Sequence, residues 1–480
     1  MNYRIVLYMV GRILQIEGAL LVLPFVVSLI YNEECWLSFL ITIALALALG
    51  FALTLIFKKN DQMIFAREGF AIVSLAWILL SLVGALPFYI SREIPQFADA
   101  FFETVSGFTT TGASILQDVE AMSKGLLFWR SFTHWVGGMG VLVFVMAIFP
   151  QESGRSIHIM RAEMPGPIVG KIVPKIKDTA KILYLIYIVM TVIQVILLLL
   201  GGMNLFESLV HSMGTAGTGG FSAKSNGIAG YSPYIQWVIT VFMLLFGVNF
   251  NLYYLILIKR FSSAFKSGEL WCYIGIVLAA VTAVSFNIYP LYQNLADVIR
   301  TSSFQVASIV TTTGYSTVDF AAWPSLSRMI LIVLMFIGGC AGSTAGGIKV
   351  SRVLLGFKSV VKDLKKMIHP RSVGTVRYEG RALDQATSNG IASYFTVYFL
   401  LFFVLLILIS FEPYDFETLF SALAACFNNV GPGLSLVGPS SNFGFFSTFT
   451  KYLLSFAMLF GRLEIYPMLL ALTPSFWKKK

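Results

Sequence analysis

The 480-residue sequence has few charged residues for its length. Asp, Glu, Lys and Arg make up 12% of the chain, whereas soluble globular proteins carry roughly 25%. Hydrophobic residues account for 57%, and the mean hydropathy is +0.79. The chain therefore has too little polar surface for a soluble protein, and we expect many of its apolar side chains to face lipid.

Cysteine and histidine are also scarce, with four of each. Their positions are Cys35, Cys272, Cys340 and Cys426, and His134, His158, His211 and His369. The cysteines show no paired spacing, which argues against a disulfide scaffold or a zinc site. The histidines are scattered, which argues against the alternative of a membrane-embedded enzyme. No small-residue cleavage site follows the first apolar stretch, so no signal peptide is predicted.

Long apolar stretches dominate the sequence. A hydrocarbon core about 30 Å thick needs roughly 20 apolar residues per helix. Ten stretches meet this requirement: 8–31, 36–57, 69–90, 125–149, 182–203, 234–258, 271–291, 329–348, 390–411 and 452–473.

Most of the 34 Lys and Arg residues fall on the side of the membrane that holds both termini. Because positive loops stay in the cytoplasm, both termini are predicted to be cytoplasmic. The net charge of +10 then reflects topology, and no nucleic-acid binding is expected.

The connections on the opposite side contain a repeated motif. Residues 98–114 read ADAFFETVSGFTTTGAS and residues 300–317 read RTSSFQVASIVTTTGYST, and two weaker copies end at Gly220 and Gly431. A glycine follows each copy in the next apolar span: Gly137, Gly247, Gly338 and Gly461. The spacing predicts one unit repeated four times in the same orientation. Each unit has an outer helix, a short half-buried helix, an extended glycine segment and an inner helix.

The predicted fold is therefore an all-α polytopic membrane protein with about ten transmembrane helices and four pseudo-repeated units around one central pore. The predicted divisions are an N-terminal two-helix hairpin at 1–60 and pore units at 61–155, 156–262, 263–360 and 361–480.

The four glycine segments could form a cation filter. Backbone outside regular structure is tolerated at membrane depth only where protein buries it or water lines it. Glycine adopts conformations that let successive carbonyl groups point inward, and such oxygens can replace the hydration shell of a cation. The Thr-Gly segments contain no Asp or Glu, which favours a monovalent ion. The alternative is that each segment is an ordinary turn, but four copies in register favour a filter.

A glycine-rich stretch, GGCAGSTAGGI, occupies residues 338–348 of the third inner span. Each interior glycine costs about 1 kcal/mol of helix stability relative to alanine, so the stretch predicts a local unwinding that forms a plug below the filter. One alternative is close helix packing through small residues spaced four apart. A phosphate-binding loop fits poorly, because it would need Lys at the position of Ile348.

Two charges, Arg462 and Glu464, fall in the last inner span, where they must face protein or water. Residues two apart lie on different faces of a helix, so each is expected to have its own partner. Arg130 lies near the outer end of its span and is interpreted as a snorkelling side chain. His134 is interpreted as a hydrogen-bonded packing residue.

From end to end, the sequence resembles the TrkH/KtrB superfamily of bacterial potassium transporters, which are built from four channel-like units. The resemblance is carried by TTTGAS, TTTGYST, NNVGPG, RAEMPGP at 161–167, GGCAGSTAGGIK at 338–349 and FGRLEIYP at 460–467. The two additional spans at the N-terminus resemble the TrkH branch. The resemblance implies potassium uptake, with K⁺ bound in the filter, and an intramembrane loop that obstructs the pore and meets the Arg of the last inner helix.

The resemblance places the filter at Gly112, Gly220, Gly314 and Gly431. The candidate ion-binding residues are Thr110, Thr111, Gly112, Thr218, Gly219, Gly220, Thr312, Thr313, Gly314, Asn429, Val430 and Gly431. The candidate gate residues are Gly338, Gly339, Gly342, Ser343, Thr344, Gly346, Gly347, Lys349 and Arg462. Gly at position 112, where related sodium-permeable transporters have Ser, favours potassium. A sodium-permeable or sodium-coupled transporter of the same fold stays as the alternative.

The resemblance also implies partners and a location. It points to a homodimer in the lipid of the bacterial cytoplasmic (inner) membrane and to a cytosolic nucleotide-binding ring of the TrkA type. No organic cofactor is expected in this chain. The sequence leaves open whether transport is channel-like or coupled to H⁺ or Na⁺.

Overall fold

The computed structural model describes residues 1–57, 65–140, 176–371, 374–383 and 385–478. The RAEMPGP motif at 161–167 and the second part of the predicted span 125–149 lie outside these residues. Most of the described chain is helical.

The N-terminal hairpin contains α1 (Tyr3–Leu20), α2 (Val22–Ile30) and α3 (Trp36–Ile56). The first two helices together make one span of 28 residues. Gly11 and Gly50 allow α1 and α3 to pack closely, because a Cβ on either residue would come within 3.0 Å of the other's carbonyl oxygen. Small residues are typical of such tight helix contacts in membranes.

Each of the four units begins with a long outer helix. These helices are α4 (Ala66–Gly84) continued by α5 (Leu86–Ile90), α8 (Ile176–Leu200), α13 (Gly268–Ile288) and α17 (Gln385–Ile409). The hairpin and these outer helices provide the six helices of the described chain that are long and apolar enough to cross a membrane. A bent pair in the second unit could provide a seventh.

A short, deeply buried helix follows each outer helix. The four short helices are α6 (Phe97–Phe108), α9 (Leu205–Gly217), α14 (Leu295–Val310) and α18 (Phe416–Phe427). Three of them begin with a side-chain cap, from Asn204, Asn294 or Asp415. The pKa of Asp415 is lowered, chiefly because the Thr418 hydroxyl donates to its carboxylate. Such caps satisfy backbone N–H groups that a helix start leaves free.

The inner helices all end near the glycines that the sequence singled out. They are α7 (Lys124–Gly138), α10 (Pro233–Phe246) with α11 (Phe250–Leu257), α15 (Ser325–Ile337) with α16 (Val350–Ile368), and α19 (Thr448–Arg462) with α20 (Tyr466–Leu472). The α10 and α11 helices meet at 90°. The sequence predicted a break only in the third inner span, whereas the second and fourth are interrupted as well.

Packing against the short helices explains why glycine ends the first and fourth inner helices. A Cβ on Gly137 would come within 3.0 Å of the Phe108 carbonyl oxygen. A Cβ on Gly461 would come equally close to the Phe427 carbonyl oxygen. Both carbonyls belong to the last residue of a short helix. The inner helix can therefore touch the end of the short helix only where it has no side chain.

The four units close into a ring. Each inner helix packs against the short helix of the next unit: α7 on α9, α10 on α14, α15 on α18, and α19 on α6. The last of these contacts joins the fourth unit to the first. This helical ring agrees with the predicted fold class, while the predicted unit boundaries stay predictions.

The remaining elements lie at the ends of the units. They are α12 (Phe261–Phe265), α21 (Pro474–Trp477), 3₁₀ turns at Tyr289–Leu291, Phe320–Ala322 and Ser435–Val437, and strands β1 (Arg377–Tyr378) and β2 (Arg381–Ala382). The two strands pair antiparallel, with Tyr378 opposite Arg381. This hairpin was not predicted from the sequence.

Candidate ion-conduction site

The four glycine segments share one backbone conformation. In the first unit, Thr110 N donates to Gly107 O at 3.1 Å, and Thr111 N donates to Ser106 O at 2.9 Å. The second of these bonds recurs in every unit: Gly219 to Gly214, Thr313 to Ser308, and Val430 to Ala425, all at 2.8 or 2.9 Å. The four segments are thus structural equivalents, including the two whose sequences are least alike.

Two residues in every segment have positive φ angles. In the first segment they are Thr110 at 55° and Gly112 at 79°. The equivalent pairs are Thr218 and Gly220, Thr312 and Gly314, and Asn429 and Gly431. A residue other than glycine in this region costs roughly 1–2 kcal/mol. Strain repeated at four equivalent places in a protein interior is typical of a functional site.

The glycines bring the four segments into a closed circle. A Cβ on Gly112 would come within 3.0 Å of the carbonyl oxygen of Gly219 in the second segment. A Cβ on Gly220 would likewise come within 3.0 Å of the carbonyl oxygen of Thr313. The remaining two contacts are Gly314 with the carbonyl oxygen of Val430, and Gly431 with that of Thr111 in the first segment. Each glycine therefore provides the space for a carbonyl group of the next segment. The ring contains one backbone carbonyl from each unit.

Side chains of the four glycine segments hydrogen-bond to the surrounding protein and to one another. Thr109 Oγ1 donates to Val105 O at 2.6 Å and lies 2.8 Å from Thr111 Oγ1. Asn429 Nδ2 donates to Thr111 Oγ1 at 3.0 Å and to Met458 O at 2.9 Å. These bonds hold the segments against their helices and across the boundary between the fourth and first units.

The Arg130 side chain lies beside the first glycine segment. It is 2% exposed, and its Nη2 lies 2.7 Å from Glu103 Oε1. Glu103 also accepts hydrogen bonds from Ser114 Oγ and Ile115 N, which follow the first glycine segment. The guanidinium lies over the ring of Phe221, with 3.9 Å from Cζ to the ring centroid. The interpretation of Arg130 as a snorkelling side chain is therefore wrong.

His134 joins the first two units. Its Nδ1 lies 2.7 Å from Gly107 O, and its Nε2 lies 3.3 Å from Phe221 N. A carbonyl oxygen can only accept and a backbone N–H can only donate, so the partners select the neutral ring with the proton on Nδ1. The predicted role as a hydrogen-bonded packing residue agrees with this geometry.

Two cavities lie on either side of the ring of glycine segments. The one called here the outer cavity has a volume of about 140 Å³ and is lined by Gly112, Gly220, Gly314 and Gly431. The inner one has a volume of about 40 Å³, and its lining includes Gly346, Gly347, Lys349 and Arg462. A path through the ring would connect these two spaces.

Residues 338–349 form a folded loop against the ring of glycine segments, between the helices that end at Ile337 and begin at Val350. Gly346 N donates to Thr312 Oγ1 at 2.6 Å, and Gly347 N donates to Asn428 O at 3.0 Å. Gly338 and Gly342 have φ angles of 71° and 70°. Since these glycines are not on a helix, the alternative of small-residue helix packing does not describe them.

Arg462 connects this loop to the first unit. Its Nη1 donates to Thr344 O at 2.8 Å, and its Nη2 donates to Gly137 O at 2.6 Å and to Gly138 O at 2.8 Å. Glu464 instead pairs with Arg352 of α16. The two charges thus have separate partners, as predicted from their spacing.

Comparison with known proteins identifies the family. The family model described as TrkH, cation transport protein, matches residues 37–267 and 271–479. This chain belongs to the TrkH family. It is 37% identical to the Trk system potassium uptake protein TrkH of Escherichia coli strain K12, over the full length of both chains. It is 32% identical to the potassium uptake protein TrkG of the same strain, covering 99% of each.

A solved structure of a relative has the same fold as this chain. The crystal structure of the potassium transporter TrkH from Vibrio parahaemolyticus matches with a TM-score of 0.89 and 33% identity, covering 100% of both chains. The predicted superfamily and fold class are confirmed. The family consists of transport proteins, so the alternative of an enzyme is not supported. In the described part of this TrkH-family chain, no group of three or more His, Cys, Asp or Glu residues could hold a metal ion.

Glu269 also contacts the loop of this TrkH-family chain, a role that sequence reasoning missed. Its carboxylate is 2% exposed at the start of α13, where it accepts from Ala341 N at 2.6 Å and from Tyr378 Oη at 2.9 Å. The carboxylate therefore links the loop to the β-hairpin. A charged residue in the first turn of a span was the available signal. Its partners, however, lie too far along the chain to be identified from spacing.

Proposed function

We propose that this chain takes up potassium across the cytoplasmic membrane of a bacterium, and that ions pass through the ring of four glycine segments. The closed circle of glycine and carbonyl contacts is the observation that carries the proposal. Its relatives TrkH and TrkG are named as potassium uptake proteins, and TrkH from Vibrio parahaemolyticus is titled a potassium transporter.

Backbone carbonyl groups are the proposed ion ligands. The carbonyls of Thr111, Gly219, Thr313 and Val430 contribute one oxygen per unit at equivalent positions, and the neighbouring filter residues from Thr110 to Gly431 complete the ion sites. Oxygens arranged in this way substitute for the hydration shell of K⁺. The C-terminal ends of α6, α9, α14 and α18 carry partial negative charge and end at the filter, which favours a cation there.

The loop at 338–349 is the proposed gate. It lies between the filter and the inner cavity and is held by Arg462, Glu269 and the filter itself. The gate residues identified from the sequence, including Ser343, Thr344 and Lys349, all belong to this loop or contact it. Lys349 Nζ donates back to Ala345 O within the loop. Displacement of the loop would open a continuous path.

Sodium permeation is the second candidate. Gly112 favours potassium by resemblance, because related sodium-permeable transporters have Ser at this position. A side chain there would also displace the neighbouring carbonyl of Gly219. Coupling to H⁺ or Na⁺, as opposed to channel-like conduction, is compatible with the same ring.

Flux measurements on the purified chain in liposomes test the proposal. We expect Rb⁺ uptake that K⁺ inhibits and Na⁺ inhibits weakly, with no dependence on an imposed H⁺ or Na⁺ gradient if conduction is channel-like. Dependence on such a gradient would favour coupled transport. Equal Rb⁺ and Na⁺ fluxes would contradict potassium selectivity.

We also propose a topology, an oligomeric state and a partner. Both termini are cytoplasmic, the chain forms a homodimer, and a TrkA-type nucleotide-binding ring docks on the basic cytoplasmic side. Mass measurement of the purified protein tests the dimer, and copurification with such a ring tests the partner.

A further inference from the structure

A basic cavity lies outside the conduction site, between α16 and the β-hairpin. Its volume is about 650 Å³, and its lining includes Lys358, Lys362, Lys365 and Arg377. Lys358 Nζ donates to Arg377 O at 3.1 Å, which brings the helix and the strand together. None of the described residues that line the cavity carries a carboxylate. Lys362 lies 3.6 Å from Asp363, but that carboxylate is 60% exposed, so the pair is weak.

An apolar stripe runs along α16 beside these lysines. It consists of residues that are each more than half exposed: Phe357, Val360, Leu364, Met367 and Ile368. Because each member of the stripe lies three or four residues from another member, they fall on one face of the helix. A helix with adjacent apolar and basic faces is typical of the membrane interface, where the apolar face contacts acyl chains and the basic face contacts anionic headgroups.

The surrounding helices place this cavity at the edge of the membrane. Ser359 Oγ lies 3.4 Å from Ser388 Oγ, near the start of the α17 span. Tyr378 of the hairpin contacts Glu269, at the start of the α13 span. The starts of both spans therefore contact the segment that forms the cavity. A residue beside the start of a span is expected near the headgroup region, where the hydrocarbon core ends.

We propose that this cavity binds the phosphate of an anionic phospholipid, whose acyl chains lie along the apolar stripe of α16. Charge complementarity selects an anion, and the exposed apolar stripe next to the lysines selects a lipid over a soluble anion. The proposal does not depend on potassium transport, because lipid binding can be measured without any flux.

The test is binding of phosphatidylglycerol and phosphatidylcholine to the purified full chain, with bound lipid counted by native mass spectrometry. The variant is Lys358→Gln, Lys362→Gln, Lys365→Gln. The matched control is Lys259→Gln, Arg260→Gln, Lys266→Gln, which removes three charges from a connection that does not line the cavity. We expect the wild type and the control to prefer phosphatidylglycerol, and the cavity variant to bind it at least about tenfold more weakly.

Equal affinities of the cavity variant and the control would overturn the proposal. A second pair of probes distinguishes the occupants. Glycerol phosphate carries the headgroup without acyl chains, so it should compete poorly; competition as strong as that of the lipid would show a site for soluble phosphates. Polyglutamate that displaces phosphatidylglycerol and requires the same lysines would show a protein-docking surface instead. The variant's unfolding temperature without added lipid, compared with that of the control, confirms that it is folded.

Discussion

At the residue scale, the filter glycines are defined by the space that the neighbouring unit requires. Gly112 combines a positive φ angle with direct contact to the Gly219 carbonyl. Either property disfavours a side chain, but they predict different effects. An unfavourable φ angle lowers stability, whereas displacement of a carbonyl in the ring changes which ion fits.

We predict that Gly112→Ser lowers the K⁺ to Na⁺ permeability ratio. The added Cβ must displace the Gly219 carbonyl. A distortion that costs roughly 1–3 kcal/mol corresponds to a change of about fivefold to 150-fold. The permeability ratio would be measured by Rb⁺ and Na⁺ fluxes in liposomes. The control is Gly202→Ser, since Gly202 has a φ of 87° but a Cβ added there would have no atom within 4 Å. An unchanged ratio in Gly112→Ser would remove this residue from the filter.

Sequence reasoning was effective at this scale for glycines and weak for charges. The positions of all four filter glycines follow from a local motif, and the structure gives them equivalent backbone geometry. The ion pair of Arg130 and Glu103 joins residues on two helices, so nothing in a local motif reveals it. The same holds for Glu269, whose partners are 72 and 109 residues away.

At the element scale, the loop at 338–349 is held by contacts from three sides. Arg462 binds it from α19, and Glu269 binds it from α13. Thr312 of the third glycine segment and Asn428, which follows α18, bind it from the side of the ring. A stretch rich in glycine can adopt this fold because three of its glycines, at 338, 342 and 347, have positive φ angles. The sequence showed that this stretch is rich in glycine, but it did not predict the residues to which the loop hydrogen-bonds.

Arg462→Ala should raise K⁺ flux and leave the preference for K⁺ over Na⁺ almost unchanged. A hydrogen bond from a charged group is worth roughly 1.5–3 kcal/mol, so loss of the bond to Thr344 shifts the ratio of closed to open loop by about tenfold or more. Flux per folded molecule is the measurement. Arg328→Ala is the control, because Arg328 pairs with Glu417 away from the loop.

Replacement of Gly346 and Gly347 by alanine tests the same gate independently. A Cβ on Gly346 would come within 3.0 Å of Asn428 O, and Gly347 has a φ of 74°, so the closed loop cannot keep its position. We expect increased flux with selectivity maintained. If both the flux per folded molecule and the thermal stability fell, the loop would be a packing element and no gate.

Tyr378→Phe should produce a smaller increase in flux. It removes one hydrogen bond to the Glu269 carboxylate, worth roughly 1.5–3 kcal/mol. Glu269 keeps its bond from Ala341 N, so the loop loses support only indirectly. Tyr414→Phe is the matched control, since that hydroxyl donates to Phe445 O at 3.2 Å away from the loop. Unchanged flux in Tyr378→Phe would show that the hairpin does not influence the gate.

At the scale of the whole molecule, the repeat predicted the ring and the order of its elements. The same reasoning failed to predict that the second and fourth inner spans break, because an apolar segment with one glycine resembles an uninterrupted helix. In the fourth span the break follows Gly461, which packs against the end of the short helix at Phe427. In the second span it lies at Gly247, which packs against Tyr273 and Thr311. Hydropathy indicates whether a segment is apolar enough to lie in a membrane, but it does not show which residues that segment contacts.

The final prediction concerns the direction in which the ring faces. Ser222 and Ser316 both line the outer cavity beyond the filter, and the positive-inside rule places that cavity on the external side. Ser222→Cys and Ser316→Cys should therefore react with an impermeant maleimide added to intact cells. Ser263→Cys, in the exposed connection before α13, should react only in inverted vesicles. The native background is low because Cys35, Cys340 and Cys426 are buried and Cys272 is only partly exposed. Labelling in the opposite pattern would invert the proposed topology. The filter would then be reached from the cytoplasm, and the loop held by Arg462 would close the external side, which is incompatible with an uptake pathway gated from within the cell.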